Sequence, residues 1–307
     1  MSASDSLVIW RISDGRPGHD TQSIGLTEAL QRRLDCRALT LPALAQSQAL
    51  ANWLTGRYPY ASNRPIPALI IGAGRRTHLD ILSARRACGG YGIVLMRPGP
   101  LVRRYFDMCL IPEHDQPAPA ANVMTTKGAV NRMRPAHKLP AQGLLLVGGP
   151  SRHHDWNGDS LIESLERIIT ADPSTHWIVT DSPRTPVTTS QRLARLPATE
   201  YHPQRECAPS WLAERLAETD PVWVTEDSIS MVHEALTASC RVGLLDVPRK
   251  QASGRVSRGI DNLIREGYVT PFAVWQQSRT LQQAPVRLQE ADRCAACIIK
   301  RFLGQQP

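Results

Sequence analysis

Aromatic side chains are scarce in this sequence, at 5% of residues with only three Phe. Any core must therefore be assembled mainly from Leu, Ile, Val and Ala, and the 42% hydrophobic content is ample for that. Long apolar runs are absent, and nothing approaches the roughly 18 residues a membrane-spanning helix needs. The first apolar run, Leu7-Val-Ile-Trp10, is short and follows Asp5 instead of a basic segment, which speaks against a secretory leader. Seven Cys, an odd number spread along the chain, do not read as a disulfide framework and fit a reduced compartment. Cys294-Ala-Ala-Cys297 has no second pair and lies in a helical stretch, where it reads as buried packing. No Gly-x4-Gly-Lys-Ser/Thr loop, Gly-x-Ser-x-Gly elbow or credible Asp-x-Asp pair occurs, which argues against a P-loop nucleotidase, a serine hydrolase and a metal-held diphosphate. These absences predict a cytoplasmic protein, at most peripheral to the inner membrane, with no metal and no cofactor.

Basic residues outnumber acidic ones, 36 to 28, a net charge of +8 that favours an acidic partner. The pairs Arg75-Arg76, Arg85-Arg86 and Arg103-Arg104 are short, scattered and without interleaved aromatics, so nucleic acid is not the expected partner. His153-His154-Asp155 has metal-ligand chemistry, but adjacent residues of an extended loop point to opposite sides.

Short apolar runs alternate with helical patterns along the 307 residues, which predicts parallel sheets with right-handed crossovers. Strands are expected at Ser6–Trp10, Cys36–Leu41, Leu69–Ile71, Tyr91–Met96 and Met108–Pro112, with a helix from Asp20 to Leu34 capped by Asp20 or Thr21. Gln116–Ala141 is Pro- and Ala-rich and reads as a linker. The alternation restarts at Gly143–Val147 and continues through strands at His176–Thr180, Pro221–Thr225 and Arg241–Asp246. The expected domains are 1–140, 141–283 and a final helical segment, 284–307.

In open parallel sheets, ligands bind beyond the carboxyl ends of strands. In the second half those ends carry Gly148-Gly149-Pro150-Ser151, Asp181-Ser182-Pro183-Arg184-Thr185 and Glu226-Asp227-Ser228-Ile229-Ser230-Met231. Gly lets a backbone approach phosphate, and the helix start after Asp227 supplies N–H groups and a partial positive charge. Glu234, further along that helix, suits a ribose diol, while Arg184 and Arg249-Lys250 are candidate cations for a leaving group. In the first half the polar loop Asp14-Gly15-Arg16-Pro17-Gly18-His19, with Gln22 beyond it, follows strand one, and Gly72-Ala73-Gly74-Arg75 follows the third strand. Histidine is the residue type suited to proton transfer near neutral pH, so Asp14 or His19 is the expected base; Gly15, Gly18, Gln22, Gly74 and Arg75 are expected on the acceptor side.

Five motifs in order, beginning with Ser13-Asp-Gly-Arg-Pro-Gly-His-Asp-Thr-Gln and Gly72-Ala-Gly-Arg-Arg-Thr, span most of the chain. The other three are Leu146-Val-Gly-Gly-Pro-Ser, Thr180-Asp-Ser-Pro-Arg-Thr-Pro and Thr225-Glu-Asp-Ser-Ile-Ser-Met-Val-His-Glu-Ala. Together the sequence resembles the mitochondrial fission "elongated mitochondria" family, which is in turn similar to GT-B glycosyltransferases. The resemblance implies two Rossmann-like α/β domains facing across a cleft, with the C-terminal helix crossing back to the first domain. It implies a nucleotide-sugar donor in the second half, with Gly149, Ser151, Ser228, Ser230 and Met231 near its phosphates and Glu234 at the ribose. The activity implied is metal-independent transfer of a sugar to an envelope saccharide or lipid-linked acceptor, with a non-catalytic adaptor or a nucleotide-sugar epimerase as alternatives. Pro150 departs from the glycosyltransferase pattern and removes one backbone donor from the phosphate loop.

Overall fold

The computed structural model describes residues 6–250 and 254–304. The chain divides into two compact units, Met1–Arg132 together with Gln289–Pro307, and Met133–Leu288. Each is built on one six-stranded sheet in which every pairing is parallel.

The first sheet contains β1 (Leu7–Ser13), β2 (Cys36–Pro42), β3 (Leu69–Ala73), β4 (Tyr91–Leu95), β5 (Met108–Pro112) and β6 (Val123–Thr126), in the order β2-β1-β3-β4-β5-β6. Strands buried on both faces have no need of polar alternation, so β3 and β5 read as unbroken apolar runs, buried at every position. One face packs Leu26, Leu30, Ile71 and Leu95 against Cys294, Ala295 and Ile298 of the last helix, Glu290–Ile298. Cys294 is thus a core residue, and burial pushes its thiol pKa upward. The other face packs Trp10, Ile12 and Ile70 against the helices Gln46–Thr55 and His78–Cys88.

The second sheet contains β7 (Gln142–Leu146), β8 (His176–Thr180), β9 (Thr199–His202), β10 (Val222–Thr225), β11 (Val242–Leu245) and β12 (Val269–Pro271), in the order β12-β11-β10-β7-β8-β9. The helix Ile229–Thr237 covers one face through Val232, Ala235 and Leu236. The helix Gly158–Ala171, capped by the Asn157 side chain, covers the other through Leu161, Leu165 and Ile168.

The structure departs from the sequence reading in several places. The first long helix begins at Pro17, where proline's fixed φ suits the first helical position, so Asp20 lies in its first turn and caps nothing. Instead Asp20 accepts hydrogen bonds from Arg11 (2.7 Å) and Ser13 (2.6 Å). The Pro-rich stretch read as a linker contributes β6 to the first sheet, and the units divide at 132/133 and 288/289. Edge strand β9 and the segment from the helix Arg255–Arg265 to β12 and the helix Phe272–Ser278 had no counterpart in the sequence reading. Among the described residues, no helix is long and apolar enough to cross a membrane.

Candidate functional site

In a parallel sheet whose strand order reverses, the loops leaving the two strands at the reversal diverge and open a crevice. In the first unit that point lies between β1 and β3, and in the second between β7 and β10.

In the first unit the loop after β1 folds on itself. The Gly15 N–H donates to Ser13 Oγ (3.1 Å) and the Arg16 N–H to Asp14 Oδ1 (3.2 Å). The Asp14 carboxylate has no exposed surface and meets His19 Nδ1 at 3.0 and 3.1 Å. A carboxylate beside Nδ1 favours the tautomer with its proton there, leaving Nε2 as the basic nitrogen. The loop after β3 completes the setting. Gly74 has φ +80°, and a Cβ there would lie 2.2 Å from His19 Cε1, so only glycine lets the imidazole rest against that loop. Asp14, His19 and Gly74 are therefore brought together. Arg75 is exposed, and Gln22 donates to the Gly18 carbonyl (3.3 Å). A pocket of about 400 Å³ opens beside them, lined by Ser13, Asp14, Gly15, Thr40, Pro42, Ala43 and Arg76.

The second unit corrects much of the expected phosphate loop. The Gly148 N–H donates to Thr225 Oγ1 (2.8 Å) and the Gly149 N–H to Asp227 Oδ2 (3.1 Å). The Ser151 N–H donates to the His154 carbonyl (3.0 Å), and Ser151 Oγ accepts from the N–H groups of His153 and His154. With Pro150 lacking an N–H, the backbone donors of this loop are all engaged within the protein. The two glycines have a packing reason: a Cβ on Gly148 would lie 2.3 Å from the Asp227 carboxylate, and one on Gly149 2.2 Å from the Arg184 carbonyl.

The second loop is likewise fastened inward. Arg184 donates to Asp227 Oδ2 and to the Gly149 carbonyl, both at 2.7 Å, so it is a latch between loops and not a free cation. Asp181 accepts from Ser190 (2.6 Å), Tyr201 (2.7 Å) and the Gln204 N–H (2.7 Å). Ser182 and Thr185 close their own turn, the Ser182 N–H donating to Thr185 Oγ1 at 2.8 Å. Arg249 is also neutralised, pairing with both Glu226 oxygens and with Asp261 (2.8 Å), which raises its already high pKa. Lys250 pairs with Asp155 at 3.3 Å. The neighbouring His154 is fully buried, and burial lowers its pKa. Among the described residues, no group of three or more His, Cys, Asp or Glu could hold a metal ion.

One set of groups remains free. The helix Ile229–Thr237 starts at Ser228 with no side-chain cap. Its first N–H groups, those of Ile229, Ser230 and Met231, have no intrahelical acceptor, and no other acceptor meets them among the described residues. Ser230 and Met231 lie four and three residues before Glu234, so all three share one side of the helix. Glu234 is half-buried and has no hydrogen-bond partner among the described residues; burial raises its pKa from 4.5 to about 7. An uncapped helix start is an anion site, and a partnerless carboxylate one turn along it is an acceptor for hydroxyls. Thr225 and Asp227 organise the loops around this helix start. Sequence reading passed over Thr225, whose only signal was a hydroxyl at the end of a buried strand.

Two parallel, doubly wound α/β units with a last helix returning to the first unit define the GT-B architecture, shared by glycosyltransferases and UDP-GlcNAc epimerases. The chain belongs to the family described as mitochondrial fission ELM1, whose model matches residues 17–302. Among solved structures it is similar to a candidate UDP-N-acetylglucosamine 2-epimerase from Listeria monocytogenes, with TM-score 0.65, 10% identity and 98% of both chains covered. It is also similar to the UDP-GlcNAc 2-epimerase of Neisseria meningitidis bound to UDP-GlcNAc, with TM-score 0.55, 10% identity, and 97% of this chain and 100% of that one covered. The calicheamicin glycosyltransferase CalG4 follows with TM-score 0.52, 13% identity and 98% of both chains covered. No curated protein sequence matches the chain.

Proposed function

We propose that this protein binds a nucleoside-diphosphate sugar in its second unit and transfers the sugar to an envelope saccharide or lipid-linked acceptor. The observation that carries the reading is the uncapped start of the helix Ile229–Thr237 with the partnerless Glu234 one turn along it. The diphosphate takes the N–H groups of Ile229, Ser230 and Met231 and the hydroxyls of Ser228 and Ser230. The ribose diol donates to Glu234. Gly148, Gly149, Arg184 and Asp227 act one step back, holding the loops from which the helix starts. Charge developing on the departing diphosphate is stabilised by the helix start, so this reading assigns no metal a role.

His19 is the base in this proposal. Asp14 orients the imidazole through Nδ1 and stabilises the imidazolium that forms when Nε2 takes the acceptor proton. A nucleotide-sugar epimerase could use the same donor groups, and the Listeria and Neisseria likenesses are to proteins carrying that name.

The test is a thermal-shift and calorimetric screen of UDP-, GDP-, ADP- and CMP-sugars, since a ligand that binds only the folded state raises apparent stability. Binding of one nucleotide class, with turnover only when an acceptor is added, supports transfer. Turnover without an acceptor supports epimerisation. Failure of every nucleotide to bind removes the donor site and leaves the adaptor reading.

A further inference from the structure

The net charge of the chain is not shared between its units. The unit Met1–Arg132 with Gln289–Pro307 has 19 Lys and Arg against 11 Asp and Glu, whereas Met133–Leu288 has 17 of each. The whole excess of +8 therefore belongs to the first unit. Within it the imbalance is narrower still. Between Cys36 and Phe106 there are ten Arg and no Lys against a single acidic residue, Asp80, and Asp80 is completely buried. No carboxylate from that stretch reaches the surface.

The same stretch exposes large apolar side chains, which a charged surface does not need. Leu101 is 81% exposed, Leu54 61% and Leu50 43%. Leu50 and Leu54 are one turn apart on the helix Gln46–Thr55, and Leu101 stands on the short helix Pro100–Arg103. The longer helix meets the chain just beyond the shorter one. The Trp53 ring meets the Tyr105 ring edge-on at 5.9 Å, and both helices pack on the same face of the first sheet through Trp53 and Val102. Arginines stand at this contact and along the chain that leaves the longer helix. The Arg104 guanidinium lies 4.9 Å over the Tyr105 ring, Arg86 reaches Gly56 at the end of the longer helix, and Arg57 and Arg64 follow with exposed side chains.

We infer that this surface docks on an anionic lipid bilayer. Headgroup phosphates attract the arginines, while Leu50, Leu54 and Leu101 enter the acyl boundary and Trp53 and Tyr105 lie at headgroup level. Exposed leucines decide between possible acidic partners, because duplex nucleic acid offers an aliphatic side chain little to bury it, whereas a bilayer interface does. The inference stands apart from the proposed sugar transfer and uses none of its residues.

The experiment is co-sedimentation of the full chain with vesicles of mixed phosphatidylglycerol and phosphatidylcholine, with pure phosphatidylcholine vesicles and duplex DNA as comparison arms. Binding is expected on the anionic vesicles, absent on the neutral ones, and weakened by salt as the screening length falls from about 8 Å to about 3 Å. Arg57→Glu with Arg64→Glu should weaken vesicle binding at least about tenfold, because each basic group near an anionic surface contributes separately. Leu54→Gln with Leu101→Gln should weaken it comparably and leave the residual binding more salt-sensitive. All four positions are exposed, so unchanged melting curves identify folded variants. Equal binding to both vesicle types, no binding to either, capture by DNA alone, or folded variants that bind like the wild type would each overturn the assignment.

Discussion

Glu234→Gln separates a ligand group from a merely tolerated one, because it moves stability and affinity in opposite directions. Burial raises the Glu234 carboxyl from 4.5 to about 7. A carboxyl whose pKa is higher in the folded state supports folding while protonated. That support is complete below 4.5, fades as pH rises towards 7, and becomes a full penalty above it. A shift of that size corresponds to about 3 kcal/mol of lost stability on the alkaline side. Gln keeps the shape without the charge. The variant should therefore equal the wild type near about pH 4 and exceed it by about 2–3 kcal/mol near about pH 8.5, read from denaturant midpoints. Ribose hydroxyls donating to a carboxylate make charge-assisted bonds of about 1.5–3 kcal/mol, so the same variant should lose roughly tenfold or more in nucleotide affinity by calorimetry. Wild-type affinity should rise with pH through about 7, as the carboxylate forms. A variant with unchanged alkaline stability and unchanged affinity would mean that Glu234 is an ordinary solvated helix residue.

His19→Gln should lower sugar transfer by about 10²–10⁴-fold while leaving donor affinity intact, and steady-state rates beside calorimetry decide the point. Gly149→Ala drives a Cβ to 2.2 Å from the Arg184 carbonyl and should destabilise by about 1–3 kcal/mol. Gly18→Ala, where a Cβ would meet nothing within 4 Å, should be neutral or stabilising by under about 1 kcal/mol, and denaturant unfolding compares the two. Burial raises the fully buried Asp80 carboxyl from 3.8 to about 6, so wild-type stability should fall as pH rises across that window. Asp80→Asn should flatten the fall, as stability measured against pH would show.

The fold was legible where strands are buried on both faces, because Leu69-Ile-Ile and Met108-Cys-Leu-Ile are apolar without interruption. It was not legible at three of the four sheet edges, β6, β9 and β12. The strands Val123–Thr126 and Thr199–His202 are half-exposed and mostly polar, so they carry neither an apolar run nor a clear alternation. The site divides in the same way. Asp14 and His19 are five residues apart, one in the loop after β1 and the other in the first turn of the following helix, and their pairing follows from local chain geometry. The fate of the Gly149 N–H depends on Asp227, 78 residues further on, and no local pattern announces that partner. Glycines next to a strand end look alike whether they admit a phosphate or a neighbouring carboxylate.

The first unit is closed by the last helix, and this sets an order of assembly. Chains emerge from the ribosome amino end first, at about 5–20 residues per second, and domains fold as units. Residues 133–288 form a contiguous unit that is complete as soon as it has emerged. The first unit, begun earlier, lacks Ala291, Cys294, Ala295 and Ile298 from one face of its sheet until the whole second unit has been made. Until then Leu26, Leu30 and Ile71 have lost a covering layer, and the older half of the nascent protein is the half open to aggregation or chaperone binding. A stop codon just short of residue 289 would therefore unfold the amino-terminal unit, far from the missing residues in sequence, and leave the unit nearest the break intact.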